Sequence, residues 1–116
     1  MKNKNIKNYI FIGGKNLGVK SLEFMIRKNI YPKIVIPNKD DFVKDNVFNK
    51  SIIKFARKKK IKITSLKNLS KLIDKKKITK PDIIFCIGST QILPKNILKF
   101  PQKGIVNIHP SLLPKY

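Results

Sequence analysis

Short, continuously apolar runs that end in glycine are the feature that most restricts how this chain can fold. Tyr9–Ile12 and Ile83–Ile87 contain only apolar residues, and a glycine follows each run. Strands of a parallel sheet have this pattern, because helices cover both of their faces. Between the runs, apolar residues recur at helical spacing. The chain therefore predicts an α/β domain in which right-handed crossovers join parallel strands.

The same patterns predict the positions of the other elements. Further strands are expected at Lys33–Ile36, Ile61–Thr64 and Gly104–His109. Helices are expected from an Asn16 cap to near Asn29, from Asn49 or Ser51 to the lysines at 58–60, over Asn68–Lys76, and just after Pro94. Asn38–Val47 shows no period and is expected to be a loop. We therefore predict a Rossmann-like open parallel sheet of about five strands with helices on both faces.

The charge of the chain suggests a polyanionic partner but carries less information than its size implies. The formal net charge is +21, from 27 basic and 6 acidic residues. All basic residues except Arg27 and Arg57 are lysines, and lysine, isoleucine and asparagine all have A/T-rich codons. Dedicated nucleic-acid readers favour arginine, which binds phosphate and guanine bidentately. The lysine runs 58–60 and 75–77 have no interleaved aromatic residues, so solvated helix ends are the favoured interpretation.

Several other classes of protein are excluded by simple features of the sequence. The longest apolar run, Ile83–Ile87, is far too short to span a membrane. The polar N-terminus lacks the apolar core of a signal peptide. Cys86 is the only cysteine and lies in an apolar run, so we expect it to be buried and to form neither a disulfide nor a zinc site. We expect a soluble, cytoplasmic protein that binds no metal.

Ligands of open parallel sheets bind beyond the carboxyl ends of the strands, and a glycine-rich turn lies at one of these ends. Gly13 and Gly14 are followed by Gly18, but the spacing is not that of a dinucleotide-binding loop. No acidic residue ends the second strand, where Pro37 and Asn38 stand instead. A tight turn that lets the chain approach the first helix is the favoured interpretation.

The most informative segment of the sequence is Asn107–Pro114. Strand alternation predicts that Asn107 and His109 lie on one side of the last strand, with Ile108 on the other. An amide N–H can stabilise a developing oxyanion, and a histidine can transfer a proton near neutral pH. The pair is suited to acyl transfer.

This segment resembles the active-site signature of the folate-dependent formyltransferases. That family includes methionyl-tRNA formyltransferase, glycinamide ribonucleotide formyltransferase and the sugar N-formyltransferases. Its first strand and helix, its A-x-x-x-x-I stretch and the strand before its active site are similar to Phe11–Leu22, Ala56–Ile63 and Pro81–Pro94. The resemblance covers essentially the whole chain, and it implies that residues 1–116 are a formyltransferase N-terminal domain that is incomplete at its C-terminus.

The resemblance implies an enzyme of one-carbon metabolism that transfers a formyl group from 10-formyltetrahydrofolate to an acceptor amine. It assigns the catalytic roles to Asn107, as the oxyanion donor, and to His109, which would stabilise the intermediate and shuttle a proton. The folate contacts that it implies are Ser111, Leu112, Leu113, Pro114, Gly88, Gln91 and Ile92. Simpler structural roles remain open, with Leu112 and Leu113 as core anchors and Ser111 as a turn cap.

The acceptor amine and the activity of this chain are left open by the resemblance. Ile36–Asp41 lacks the loop that the tRNA enzymes carry after strand two, and Asn46–Ala56 is similar to a helix start of the sugar enzymes. The positive charge of the chain favours tRNA instead. The acceptor is therefore expected to be methionyl-tRNA or an amino sugar nucleotide. The family's third catalytic residue is an aspartate beyond the motif, and no acidic residue follows Asp82 here. We therefore expect weak or no activity from this chain alone. The alternative is a non-catalytic folate- or nucleic-acid-binding remnant of such an enzyme.

Overall fold

A four-stranded parallel sheet forms the centre of the protein. The computed structural model describes residues 8–46 and 49–109. The strands lie in the order β2-β1-β3-β4, and every neighbouring pair is parallel. The elements in chain order are β1 (Tyr9–Gly13), α1 (Lys15–Arg27), β2 (Ile34–Pro37), α2 (Ile52–Lys58), α3 (Leu66–Asp74), β3 (Ile83–Ile87), α4 (Lys95–Leu98) and β4 (Ile105–Ile108).

Helices cover both faces of this sheet, as the sequence predicts. Along β1, Ile10 and Ile12 pack against the layer formed by α3 and α4, whereas Tyr9 and Phe11 pack against the layer formed by α1 and α2. All five residues of β1 are buried. The two-sided burial explains why this strand has a continuous apolar sequence instead of an alternating one.

The predicted strand at Ile61–Thr64 is wrong, and the sheet formed by the described residues has four strands where about five were expected. The segment forms a single parallel bridge between Ile63 and Val35. The Val35 N–H donates to the Lys62 carbonyl at 2.9 Å, and the Thr64 N–H donates to the Val35 carbonyl at 3.1 Å. Ser65 then caps α3, accepting from the Asn68 N–H at 3.0 Å, so the chain turns into the helix before a ladder can extend.

The helix starts differ from the sequence predictions at α1 and agree with one alternative at α2. Helix α1 begins at Lys15, so Asn16 lies inside it and is not its cap. The Asn16 side chain accepts instead from the Lys50 N–H at 2.9 Å, which ties α1 to the segment before α2. Ser51, and not Asn49, caps α2 and accepts from the Lys54 N–H at 3.0 Å.

Two carboxylates of the loop after β2 hold the start of α2. Asp41 accepts from the Ser51 hydroxyl at 2.6 Å and from the Ile52 N–H at 2.8 Å. Asp45 accepts from the Ser51 N–H at 2.8 Å, and this hydrogen bond, followed by the one from Lys54, lowers the pKa of the Asp45 carboxyl. Negative charge at a helix N-terminus is favourable, so the loop is a specific cap.

The glycine-rich turn after β1 is a close-packed backbone contact, in agreement with the favoured interpretation. The Gly14 N–H donates to the Ile87 carbonyl at 3.2 Å. A Cβ at Gly13 would overlap that same carbonyl oxygen, and a Cβ at Gly18 would lie 2.9 Å from it. The turn therefore joins the start of α1 to the end of β3 without intervening side chains.

Candidate active site

A cavity of about 1030 Å³ opens at the carboxyl edge of the sheet. Its walls are the end of β2, the first turns of α3 and the segment that follows β3. Leu66 of α3 and Ile92 contribute apolar surface to the cavity, and residue Ile92 is 93% exposed. Neutral polar residues, among them Asn38, Ser65 and Gln91, also line it, together with the lysines Lys39, Lys67 and Lys71. A concave cavity that combines apolar surface with polar groups is the usual form of a small-molecule site.

Two of the three predicted folate-contacting residues in the segment after β3 line this cavity. Gln91 and Ile92 lie on its wall, and the Gln91 side-chain amide donates to the Pro37 carbonyl at 3.1 Å. Gly88 lies behind the wall, where it is buried and adopts a positive φ of 66°. Its N–H donates to the carbonyl of Ile108 at 3.1 Å, so the turn also contacts the last strand.

Asn38 is a site residue that the sequence prediction missed. Its side chain is almost fully buried at 4% exposure. The Asn38 Nδ2 donates to the Gly88 carbonyl at 2.9 Å, and its Oδ1 accepts from the Thr90 N–H at 3.0 Å. Its signal in the sequence is a polar residue immediately after a buried strand at the ligand edge, within a segment that the sequence predicts only to be a loop.

Asn107 and Ile108 lie on opposite faces of β4, as strand alternation predicts. Asn107 pairs in register with Cys86, whose side chain packs in the α3/α4 layer. Ile108 pairs with Ile87 and borders an apolar groove beside Phe24 of α1. Asn107 therefore shares both a face and an edge of the sheet with the cavity.

His109 immediately follows β4 and its side chain is exposed, so the imidazole is open to solvent and not enclosed in the apolar core. Continued alternation would place it on the side of Asn107, which stays a prediction. The other predicted folate contacts, Ser111–Pro114, lie outside the described residues. An exposed amide and an exposed imidazole at neighbouring positions can together donate to an oxyanion and move a proton.

The remaining reactive groups do not suggest a different chemistry. Cys86 is buried as predicted, and burial raises the pKa of its thiol, which a hydrogen bond with Ser89 partly offsets. A thiol with a raised pKa is a poor nucleophile near neutral pH.

Within residues 8–46 and 49–109, histidines, cysteines and carboxylates form no group of three or more that could hold a metal ion. No helix in these ranges is both long and apolar enough to cross a bilayer.

The fold and the cavity together define an α/β domain with a candidate ligand site at the carboxyl edge of its parallel sheet. A family model described as "Formyl transferase" matches residues 7–116, and the chain belongs to this family. The resemblance carried by Asn107–Pro114 is thereby confirmed.

Curated relatives include two differently named kinds of protein. The chain is 38% identical over 102 residues to the bifunctional polymyxin resistance protein ArnA of Wigglesworthia glossinidia brevipalpis, covering 86% of this chain and 16% of that protein. It is 34% identical over 113 residues to the methionyl-tRNA formyltransferase of Clostridium beijerinckii, covering 94% of this chain and 37% of that protein. The chain thus spans well under half the length of both relatives.

Solved structures with the same fold contain folates. WlaRD, described as a sugar 3N-formyl transferase with dTDP and 5-N-formyl-THF, superposes with a TM-score of 0.57 at 32% identity, covering 77% of this chain and 30% of that one. The N-formyltransferase of Helicobacter canadensis, in complex with folinic acid and dTDP-3-aminofucose, gives a TM-score of 0.58 at 26% identity, covering 84% and 33%. The α/β class is confirmed.

Proposed function

We propose that this chain is the folate-binding N-terminal part of a formyltransferase that uses 10-formyltetrahydrofolate. The carrying observation is that Asn107 shares a face and an edge of the sheet with the cavity between β2, α3 and the turn after β3. The chain is a member of the formyl transferase family, and this arrangement supports Asn107 as an oxyanion donor on the same side of the domain as a small-molecule site.

The cavity suits the pterin end of a folate. Its volume lies at the upper end of the range typical of small-molecule sites. Leu66 and Ile92 offer apolar surface to the faces of a flat ring, and Gln91 and the exposed Thr90 offer polar groups to its edge. The folates in the two solved relatives support this assignment. The turn Ser111–Pro114 is proposed to complete the contacts.

The reaction follows from the chemistry of a formyl group next to these residues. The acceptor amine attacks the formyl carbon, a new C–N bond forms, and the carbonyl oxygen gains negative charge. The Asn107 amide donates a hydrogen bond to this oxyanion. His109 accepts the proton that the amine loses and returns it to the folate nitrogen as the old C–N bond breaks. Atoms and charge balance without any other reactant.

The acceptor is proposed to be methionyl-tRNA or the amine of an amino sugar nucleotide. The names of the curated relatives support the first, and the dTDP compounds in the solved relatives support the second. Formyl-transfer assays with each acceptor separate the two. Incorporation of label into only one of them identifies it, and labelling of neither under single-turnover conditions contradicts transfer by this chain alone.

Folate binding is tested by calorimetric titration of the chain with folinic acid. We expect saturable binding by the wild type, by Asn107→Ala and by His109→Ala, because recognition rests on the cavity wall and not on these two side chains. Ile92→Asp puts a charge on the apolar wall and is expected to abolish binding. A wild-type chain that binds no folinic acid contradicts the proposal.

A further inference from the structure

We propose that Asn38 is a positioning residue for the folate site, because its amide fixes the turn that joins the cavity wall to the strand of Asn107. This inference rests on the proposed function. Asn38 lies directly after β2, and its side chain is buried between that strand end and residues 88–90. It would act through the backbone of the turn and would not contact the reacting atoms.

The Asn38 side chain uses both of its polar atoms on this turn. Its Nδ2 donates to the Gly88 carbonyl at 2.9 Å, and its Oδ1 accepts from the Thr90 N–H at 3.0 Å. The two bonds lie on either side of Ser89, so they fix the path of the turn at both ends. Among the described residues, no buried side-chain nitrogen or oxygen is left without a partner.

The turn connects the two parts of the candidate site. On one side it leads to Gln91 and Ile92 in the cavity wall. On the other side the Gly88 N–H donates to the Ile108 carbonyl at 3.1 Å, next to Asn107 on β4. A shift of this turn would therefore move the cavity wall relative to the oxyanion donor. A turn that is already ordered in the free protein lowers the conformational entropy that is lost when the ligand binds.

Asparagine suits this position better than its closest substitutes. The Gly88 carbonyl requires a donor and the Thr90 N–H requires an acceptor, and one short amide provides both. An ionised aspartate has no donor for the carbonyl. The absence of a side chain at Gly14 also leaves room for this amide, because a Cβ added at Gly14 would lie 3.2 Å from the Asn38 Nδ2.

The test compares Asn38→Ala and Asn38→Asp with Ser51→Ala as the control. Ser51 is also a buried polar residue at 3% exposure, but its hydrogen bonds go to the start of α2 and its loop. Folinic acid affinity is measured by calorimetry well below the melting temperature of each variant. We expect about tenfold weaker binding for both variants. Asn38→Ala loses both hydrogen bonds to the turn, and Asn38→Asp loses the one to the Gly88 carbonyl. Ser51→Ala should lower the melting temperature while leaving affinity unchanged.

Hydrogen exchange at the Thr90 amide provides a second readout. We expect faster exchange in Asn38→Ala, and protection that is retained in Asn38→Asp, which keeps the acceptor. Asn38→Asp is also nearly isosteric and serves if Asn38→Ala does not fold.

Two different failures are distinguishable. Wild-type affinity in both Asn38 variants overturns the inference and leaves folate binding intact. No binding of folinic acid by the wild type overturns the proposed function, and the Thr90 exchange then decides by itself whether Asn38 holds the turn.

Discussion

Asn107 on β4 and Cys86 on β3 are partners in the parallel ladder, so their side chains emerge on the same face of the sheet. Cys86 is buried under α3 and α4, whereas Asn107 is exposed at the outer strand of the described sheet. At one register position, a step from β3 to the neighbouring strand β4 therefore leads from a core side chain to one that is available to a ligand. This relationship makes Asn107 the first residue to test.

Removing the Asn107 amide should slow formyl transfer without loosening folate binding. Asn107→Asp keeps the size of the side chain but has no N–H for an oxyanion. Relative to the weak single-turnover rate expected of this chain, we expect a further fall of about 10²–10³, or about 2.7–4 kcal/mol. The matched substitution Asn29→Asp, at an exposed position after α1, is a control that should leave the rate unchanged. Equal rates for wild type and Asn107→Asp would exclude the proposed role.

Replacing Gly88 by alanine should destabilise the protein more than the same change at Gly104. Both glycines have positive φ, 66° and 105°, so both alanines are strained. A Cβ at Gly88 would also overlap the Gly14 carbonyl oxygen, whereas a Cβ at Gly104 meets nothing within 4 Å. We expect about 1–3 kcal/mol of destabilisation for Gly104→Ala and a larger loss for Gly88→Ala, measured by urea denaturation. Similar losses at both sites would contradict the close approach.

The two serine caps should contribute unequally to stability. Ser51 caps α2 and its hydroxyl also donates to Asp41 at 2.6 Å, whereas Ser65 caps α3 with one bond at an exposed position. We expect Ser65→Ala to cost about 0.5–1 kcal/mol and Ser51→Ala about 1–2 kcal/mol. Thermal unfolding of both variants measures the difference, and a more damaging Ser65→Ala would show that the bond to Asp41 adds nothing.

Tyr9 should make the folded protein sensitive to alkaline pH. Its side chain is buried, its hydroxyl donates to the Ile30 carbonyl at 2.9 Å, and burial raises the pKa of the phenol well above its usual range. The unfolded chain loses this proton near pH 10, so the contribution is complete below that pH and falls as pH rises above it.

The comparison of wild type with Tyr9→Phe isolates this effect from the many lysines. The stability difference between the two proteins, measured by urea denaturation from pH 8 to 11, should shift against the wild type above about pH 10. A difference that stays constant across this range would mean that the phenol ionises equally easily in the folded state.

The sequence predicted those elements whose pattern is local. The uninterrupted apolar runs located β1 and β3, and alternation within β4 correctly separated Asn107 from Ile108. Alternation failed at Ile61–Thr64, because it reports two unlike faces and not the presence of a neighbouring strand. Ser65 caps α3 directly after this segment, so the chain enters the helix before a second pair of strand residues can form.

Asn38 could not be predicted in the same way. Its partners, Gly88 and Thr90, are backbone groups 50 and 52 residues away along the chain, and no periodicity encodes such a pairing. The Asn16 side chain is a similar case, because a residue that often caps helices here bonds to Lys50 instead. Long-range hydrogen bonds from side chain to backbone become visible only when the topology is known.

The contact between the glycine turn and the Ile87 carbonyl has a consequence for how this scaffold can diversify. Main chain touches main chain there, so the frame beneath the ligand edge does not depend on which side chains line the edge. Substitutions at exposed positions such as Thr90 and Ile92 can change what is recognised while the underlying geometry stays constant. A single architecture can in this way carry different sets of ligand-contacting side chains.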